Sequence, residues 1–280
     1  MPLVYENNSG SLSVDKKGAF VEVVEEVPTN RSLSEVVAHI GEVVQGEHPQ
    51  VSQNAISNCN GDWYEWLIAV KAWNKRVEDE GDVLAALLLP KKGSYDVANL
   101  YRDEISELVT DLRSKVRETT DVELITSNPD FVLIDASGFE DLPGWFEESI
   151  EGPDRDELDR LEEAYRLFDG RCEFGDVHGY IGAKKSMRPD RRLQMPHEGS
   201  LMKAIYTHIQ TRKWIIEPRG INYFAVSAEL NDADRKALRT VATHSITTVD
   251  KVPEAAVDEA FVLDTQEEVE NAFEEMLTES

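Results

Sequence analysis

The chain has 280 residues, 41% of them hydrophobic, enough to fill a sizeable core without disulfide staples. Its two cysteines, Cys59 and Cys172, lie far apart with no CxxC partner, which excludes a disulfide framework and a cysteine-rich zinc site. Fifty-five Asp and Glu against 29 Lys and Arg give a formal net charge of -26, an average that by itself argues against a nucleic-acid partner.

The average hides an asymmetry. Residues 184–192 (KKSMRPDRR) set five bases against one acid, whereas no Lys or Arg follows Lys251. A broad acid excess of this kind fits a salt-adapted surface or an ordinary acidic one. No run of about 18 apolar residues, basic-then-apolar leader or lipidation motif is found, so the expected location is the cytoplasm.

Residues 1–50 form an N-terminal subregion with weak patterns: a strand-like FVEVVEEV at 20–27 before Pro28, then a short helix near 34–44. Residues 61–80 predict a helix, because Trp63, Trp66, Leu67, Val70, Trp73 and Val77 repeat at the spacing of one apolar stripe. Asn60 or Gly61 can cap it. Glu65 lies on this helix about 130° from the centre of the stripe and reads from position alone as a solvated acid.

A second helix is predicted over 101–117, and strands over 122–125 and 131–134, broken at Asn128-Pro129-Asp130. Residues 141–167 are acidic and read as a surface excursion with an amphipathic helix near 156–167. Beyond them the pattern gives a strand at 180–184, a helix at 196–212, a strand at 221–226, a helix at 232–238, a strand at 245–249 and two acidic helices. This alternation, without repeats or a linker, predicts one α/β domain over 1–280, a mixed central sheet flanked by helices.

Four features carry potential chemistry. Asp130 alone is a turn acid at a Pro-Asp corner. Lys184 ends an apolar strand and shares a face with Gly182, and the order Gly182-Ala183-Lys184-Lys185-Ser186 breaks the junction a phosphate loop needs. Glu198 is unusual: with a helix from Pro196, it falls at about 60° in an arc running from Leu201 at 0° to Met202 at about 100°. A carboxylate on that face must be paired or bound to a metal.

The fourth feature is R-P-D-R-R, Arg188 to Arg192, which reads either as a surface loop with internal salt bridges or as a DNA-reading element. Arginine can donate two hydrogen bonds to guanine and aspartate can accept from cytosine, so such a loop suits a G·C-rich site. Together Asp130 and Glu198 can hold a divalent cation, and hard oxygen donors favour Mg²⁺. Lys184 between them can orient an attacking water and offset phosphate charge.

In order and spacing, Asn128-Pro129-Asp130, Lys184, R-P-D-R and Glu198 fourteen positions after the lysine resemble the CCGG family of PD-(D/E)xK type II restriction endonucleases, which includes NgoMIV. The similarity is greatest to the subgroup cutting purine-CCGG-pyrimidine. It is carried by SNCNGDWYEWLI (57–68), LITSNPD (124–130), RPDRRLQMPHEGSLMKA (188–204) and VATHSI (241–246), and spans roughly 55–265 as a catalytic and DNA-reading core.

The resemblance implies Asp130 and Glu198 as Mg²⁺ ligands, Lys184 as the catalytic lysine and Glu65 as an auxiliary acid. It implies that Arg188, Asp190 and Arg191 read CCGG in double-stranded DNA, and Arg192, Arg212 and Asn58 are further candidate DNA contacts. Cleavage before the first C would leave a four-base 5′ overhang. Homodimers pairing as dimers of dimers, and a cognate DNA methyltransferase in the same system, are also implied. Trp214 is a candidate assembly anchor, with a core tryptophan as the alternative.

One position departs from the superfamily pattern: Gly182 stands where many members have an acid, and the expectation is that the empty position lets Glu198 approach. Two competing readings are an acidic DNA mimic, which the net charge favours, and a DNA-binding module without cleavage. The Asp130, Lys184 and Glu198 set argues against both.

Overall fold

The computed structural model describes residues 2–7, 10–24, 31–79, 84–91, 93, 95–120, 122–124, 128–217, 219–247 and 253–278. It opens with an antiparallel pair, β1 (Val4–Glu6) and β2 (Leu12–Val14), followed by α1 (Lys16–Val23). Helix α1 replaces the strand expected at 20–27, of which residues 25–27 lie outside the described residues. Two local facts outweigh the β-branched composition. Asp15 caps the helix by accepting from Gly18 N at 3.0 Å, and Phe20 packs edge-on against Trp66 at 5.4 Å.

Helix α2 (Leu33–Glu47) begins at a capping box in which Ser32 and Glu35 bond each other's backbone, and extends the expected helix in both directions. After α3 (Gln53–Ser57) comes α4 (Asn60–Glu78), in which every residue from 63 to 73 is buried. Its tryptophan stripe is therefore one side of a helix enclosed by α2 and the elements that follow.

Strand β3 (Leu84–Leu88), α5 (Asp103–Thr120) and β4 (Phe131–Asp135) come next. Residues 122–124 form no strand, and Ile125 lies outside the described residues. The acidic segment 141–167 contains α6 (Arg155–Glu163) but is more than a surface excursion: Phe146, Ile150, Leu158 and Leu161 are buried. Asn74 of α4 clamps Ile150, donating to its carbonyl at 2.7 Å and accepting from its amide at 2.8 Å. The acids of this segment face water while its apolar residues cover α4.

The second half supplies β5 (Val177–Lys184), α7 (Arg191–Arg212), β6 (Asn222–Ser227), α8 (Asp232–Leu238), β7 (Glu259–Val262) and α9 (Gln266–Thr278). Helix α7 starts five residues before the expected Pro196, which sits inside it. An internal proline removes one helical donor, and here the preceding turn is already closed by Arg191 and Arg192 amides on the Arg188 carbonyl at 3.0 and 3.2 Å. Thr243–Thr247 form a 3₁₀ turn instead of the strand expected at 245–249, whose last two residues lie outside the described ones. The chain closes on one strand and one helix rather than two helices, because β7 pairs in parallel with β6.

The sheet runs β3-β4-β5-β6-β7, antiparallel through β5 and parallel from β5 to β7. This is the expected mixed sheet flanked by helices. Strand β5 is central and buried along its length up to Lys184, which explains its continuous apolar run. Among the described residues no helix is long and apolar enough to cross a membrane.

Candidate active site

Asp130 precedes β4 and Lys184 ends β5, and the register Phe131↔Ile181 brings the two together across the antiparallel pair. Asp130 donates its amide to the Ile181 carbonyl at 3.0 Å. Its Oδ2 accepts from Ala183 N at 2.6 Å and from Lys184 Nζ at 2.7 Å, so strand pairing fixes the carboxylate and the carboxylate fixes the lysine. Both side chains open on a cleft of about 490 Å³ that also includes Glu65, Arg188, Asp190 and Arg191.

Glu198 is 2% exposed on α7, in agreement with its helical phase, which does not depend on where the helix starts. Its Oε1 accepts from Gln194 Nε2 and its Oε2 from the Tyr223 hydroxyl, each at 2.8 Å. Tyr223 lies on β6 with no exposed surface. Burial, and then the Glu198 charge, hold its phenol well above the ordinary tyrosine range, so the hydroxyl stays a donor.

Gly182 explains how these parts fit. A Cβ there would stand 2.6 Å from the Tyr223 hydroxyl and 3.0 Å from Met195 Cε. The space that the sequence left for Glu198 is thus filled by the tyrosine hydroxyl that holds Glu198. An acid two residues before Lys184 would collide with that hydroxyl.

Glu65 is 5% exposed, which overturns its reading as a solvated acid: α4 is covered on the face that the apolar stripe left out. Its Oε2 lies 2.7 Å from Lys91 Nζ, whose other partner is Asp62 Oδ1 at 2.5 Å. Burial foremost, and then the Asp130 charge, push the Glu65 carboxyl up to about 8 against the opposing pull of Lys91 and Lys184. Burial alone would lower the Lys91 ammonium, yet Glu65 and Asp62 beside it hold it above the ordinary lysine range.

The R-P-D-R-R segment is only partly a loop, since Arg191 and Arg192 begin α7. Arg188 is exposed and pairs with Asp190 at 3.4 Å at the cleft mouth, while Arg191 donates to the Ser186 carbonyl at 2.6 Å. Arg192 turns away, its Nε 2.5 Å from Asp234 Oδ1 in the first turn of α8. Arg212 stands at the far end of α7, about 30 Å from Arg191 along the axis, beside Asp111 at 3.9 Å. Asn58 is exposed between Ser57 and Cys59, next to the cleft-lining Ser57 and Asn60.

Trp214, just past α7, is 89% exposed, so it is no core tryptophan. Its φ of 55° is the left-handed conformation that most side chains avoid. Ile216 nearby is 91% exposed.

Sequence reasoning passed over Tyr223, Gln194 and Lys91. Tyr223 is hidden in an apolar strand pattern, and Lys91 lies in a loop without periodicity. Gln194 was within reach: it is one helical turn before Glu198, but only if the helix starts before Pro196.

A mixed sheet that pairs an aspartate and a lysine on adjacent strand ends, with a second buried carboxylate on the next helix, defines a nuclease of the restriction-endonuclease class. The chain matches the model of the Cfr10I/Bse634I restriction endonuclease family over residues 4–279. It is 36% identical over 286 residues to the type II restriction enzyme Cfr10I of Citrobacter freundii, covering 99% of this chain and 100% of that one. Two solved structures, Bse634I and Bse634I with cognate DNA, superpose with a TM-score of 0.89 at 28% identity, covering 98% of this chain and 96% of theirs. The protein belongs to the Cfr10I/Bse634I family of type II restriction endonucleases. The match includes the N-terminal subregion from Val4 onward and the acidic segment after Asp135, both outside the motifs that carry the resemblance in sequence.

Proposed function

We propose that the protein is a Mg²⁺-dependent type II endonuclease that cuts double-stranded DNA at R/CCGGY and leaves a four-base 5′ overhang. The observation that carries this reading is the Asp130–Lys184 pair on the cleft floor, with Glu198 behind the cleft wall and the Arg188–Arg191 segment at its mouth. The relative solved with its cognate DNA supports duplex DNA as substrate.

The donor set fits a hard cation. No group of three or more His, Cys, Asp or Glu gathers for a metal among the described residues, but Mg²⁺ needs only one or two carboxylates beside waters and substrate phosphate. Asp130 and Glu198 would hold it, with Glu65 as an auxiliary acid. Bound there, Mg²⁺ would polarise the scissile phosphate and stabilise the leaving oxygen. The chain does the rest. Asp130 fixes Lys184 so that its Nζ can orient the attacking water and offset phosphate charge. Arg188 and Arg191 supply paired donors for guanine, and Asp190 an acceptor for cytosine N4. Breaking the exposed Arg188–Asp190 pair on binding costs little, since surface ion pairs contribute about 0–1 kcal/mol.

Exposed Trp214 and Ile216 give an apolar surface on which homodimers can pair as dimers of dimers. The protein would act in the cytoplasm beside a cognate DNA methyltransferase that protects host sites. Digesting a sequenced plasmid with Mg²⁺ and reading the fragment ends tests site and overhang together. Ends bearing 5′-CCGG after a purine support the reading, and uncut plasmid or ends elsewhere overturn it.

A further inference from the structure

Glu198 is held from two sides that differ in character. Tyr223 is wholly buried on β6, and its hydroxyl fits only because Gly182 has no side chain. Neighbouring Gly199 seats α7 so tightly that a Cβ there would meet the Ala256 carbonyl at 2.0 Å, and Lys203 locks the same helix through Asp258 at 2.6 Å. The tyrosine contact therefore joins a fixed helix to β6, an inner strand of the sheet. Gln194 lines the cleft on an exposed stretch of α7, and its flexible side chain donates its amide to Oε1. Glu198 itself does not line the cleft; Gln194 stands between it and the space where Asp130 and Lys184 open.

We propose that Tyr223 and Gln194 are opposed positioning residues for Glu198: the tyrosine holds Oε2 permanently, and the glutamine covers Oε1 until a divalent cation in the cleft displaces it. The proposal rests on the reading of Glu198 as a cation ligand. Hydrogen bonds to a ligating carboxylate orient it, and their loss weakens metal affinity. A donor on the oxygen that the metal needs competes instead. The two neighbours thus act with opposite sign, which a purely structural role for both would not produce.

The test compares wild type, Tyr223→Phe, Gln194→Ala and Glu198→Gln by Mn²⁺ binding to the DNA-free protein, followed by electron paramagnetic resonance, and by the Mg²⁺ concentration for half-maximal plasmid cleavage. Thermal melting without metal checks folding. Tyr223→Phe is expected to weaken Mn²⁺ binding about 10-fold or more. Gln194→Ala is expected to tighten it by about 2- to 10-fold, the effect of one net hydrogen bond. Weaker binding in Gln194→Ala, or unchanged binding in a folded Tyr223→Phe, overturns the proposal. Glu198→Gln separates the two levels: if it binds Mn²⁺ like wild type, the ligand reading itself fails; if it binds weakly while both neighbours leave affinity unchanged, only the positioning roles fail. Should Tyr223→Phe not fold, the sign of the Gln194→Ala effect still decides.

Discussion

Tyr223 donates its hydroxyl to Glu198 at 2.8 Å from the space beside Gly182, so the residue two positions before the cleft lysine and the carboxylate on the next helix are joined through one phenol. Gly182→Ala forces a backbone-anchored ring to move, since its Cβ would stand 2.6 Å from that oxygen. It should destabilise the protein by about 1–3 kcal/mol, the usual effect of overpacking. Gly182→Ala combined with Tyr223→Phe should recover part of that loss. Urea denaturation of both singles and the double checks this, and strictly additive losses would contradict it.

The pH dependence of stability should carry the signature of Glu65. Its carboxyl is raised from an ordinary 4.5 to about 8, so the fold favours its protonated form. That advantage is fully present below about pH 4.5 and is lost as pH rises towards 8. Glu65→Gln removes the titration and should melt above wild type at pH 8–9, with the gap narrowing as pH falls towards 4.5. Parallel melting profiles across that range would show that the buried acid keeps an ordinary pKa.

In the R-P-D-R-R segment, neighbouring residues should separate by function. Truncating Arg188, Asp190 or Arg191 to Ala should reduce discrimination against a wrong base pair by about 1–3 kcal/mol each. Arg192→Ala leaves buried Asp234 without its 2.5 Å partner and should instead lower stability by about 1–3 kcal/mol, with the cognate-to-noncognate ratio retained. Binding titrations on cognate and single-mismatch duplexes, beside melting curves, distinguish the two classes. A loss of discrimination for Arg192→Ala without destabilisation would place it among the reading residues.

Assembly should depend on the end of α7. Trp214 is exposed and left-handed, so Trp214→Ala removes apolar surface without opening a core cavity. Sedimentation should show a smaller oligomer with unchanged melting temperature. An unchanged oligomer would exclude the tryptophan as an anchor.

The parts of this site that sequence revealed were those governed by local rules. Helical phase places Glu198 inside whether the helix starts at Pro196 or at Arg191, because a phase depends on spacing and not on the cap. Pro129-Asp130 and Lys184 stood out at strand boundaries. The burial of Glu65 was invisible: whether a helix has one apolar neighbour or several is decided by α9, β3 and segment 141–167, which are distant in sequence. The same non-local origin hid α1, whose valines read as strand until Asp15 and Trp66 are in place, and β7, whose four residues are ordered by pairing with β6. Tyr223 shows a further limit, since an apolar strand pattern does not tell which buried hydroxyl meets a carboxylate on another element.

Cleavage by Lys184→Ala is the most direct measurement of the catalytic account. Its ammonium is the cation held by Asp130 at the cleft floor, 2.7 Å from Oδ2, and its removal should abolish single-turnover hydrolysis of a CCGG duplex in Mg²⁺. Binding of the same duplex in Ca²⁺ should largely persist, because the arginines at the cleft mouth are untouched. Wild-type turnover by a folded Lys184→Ala protein would remove the lysine from the mechanism and contradict the account.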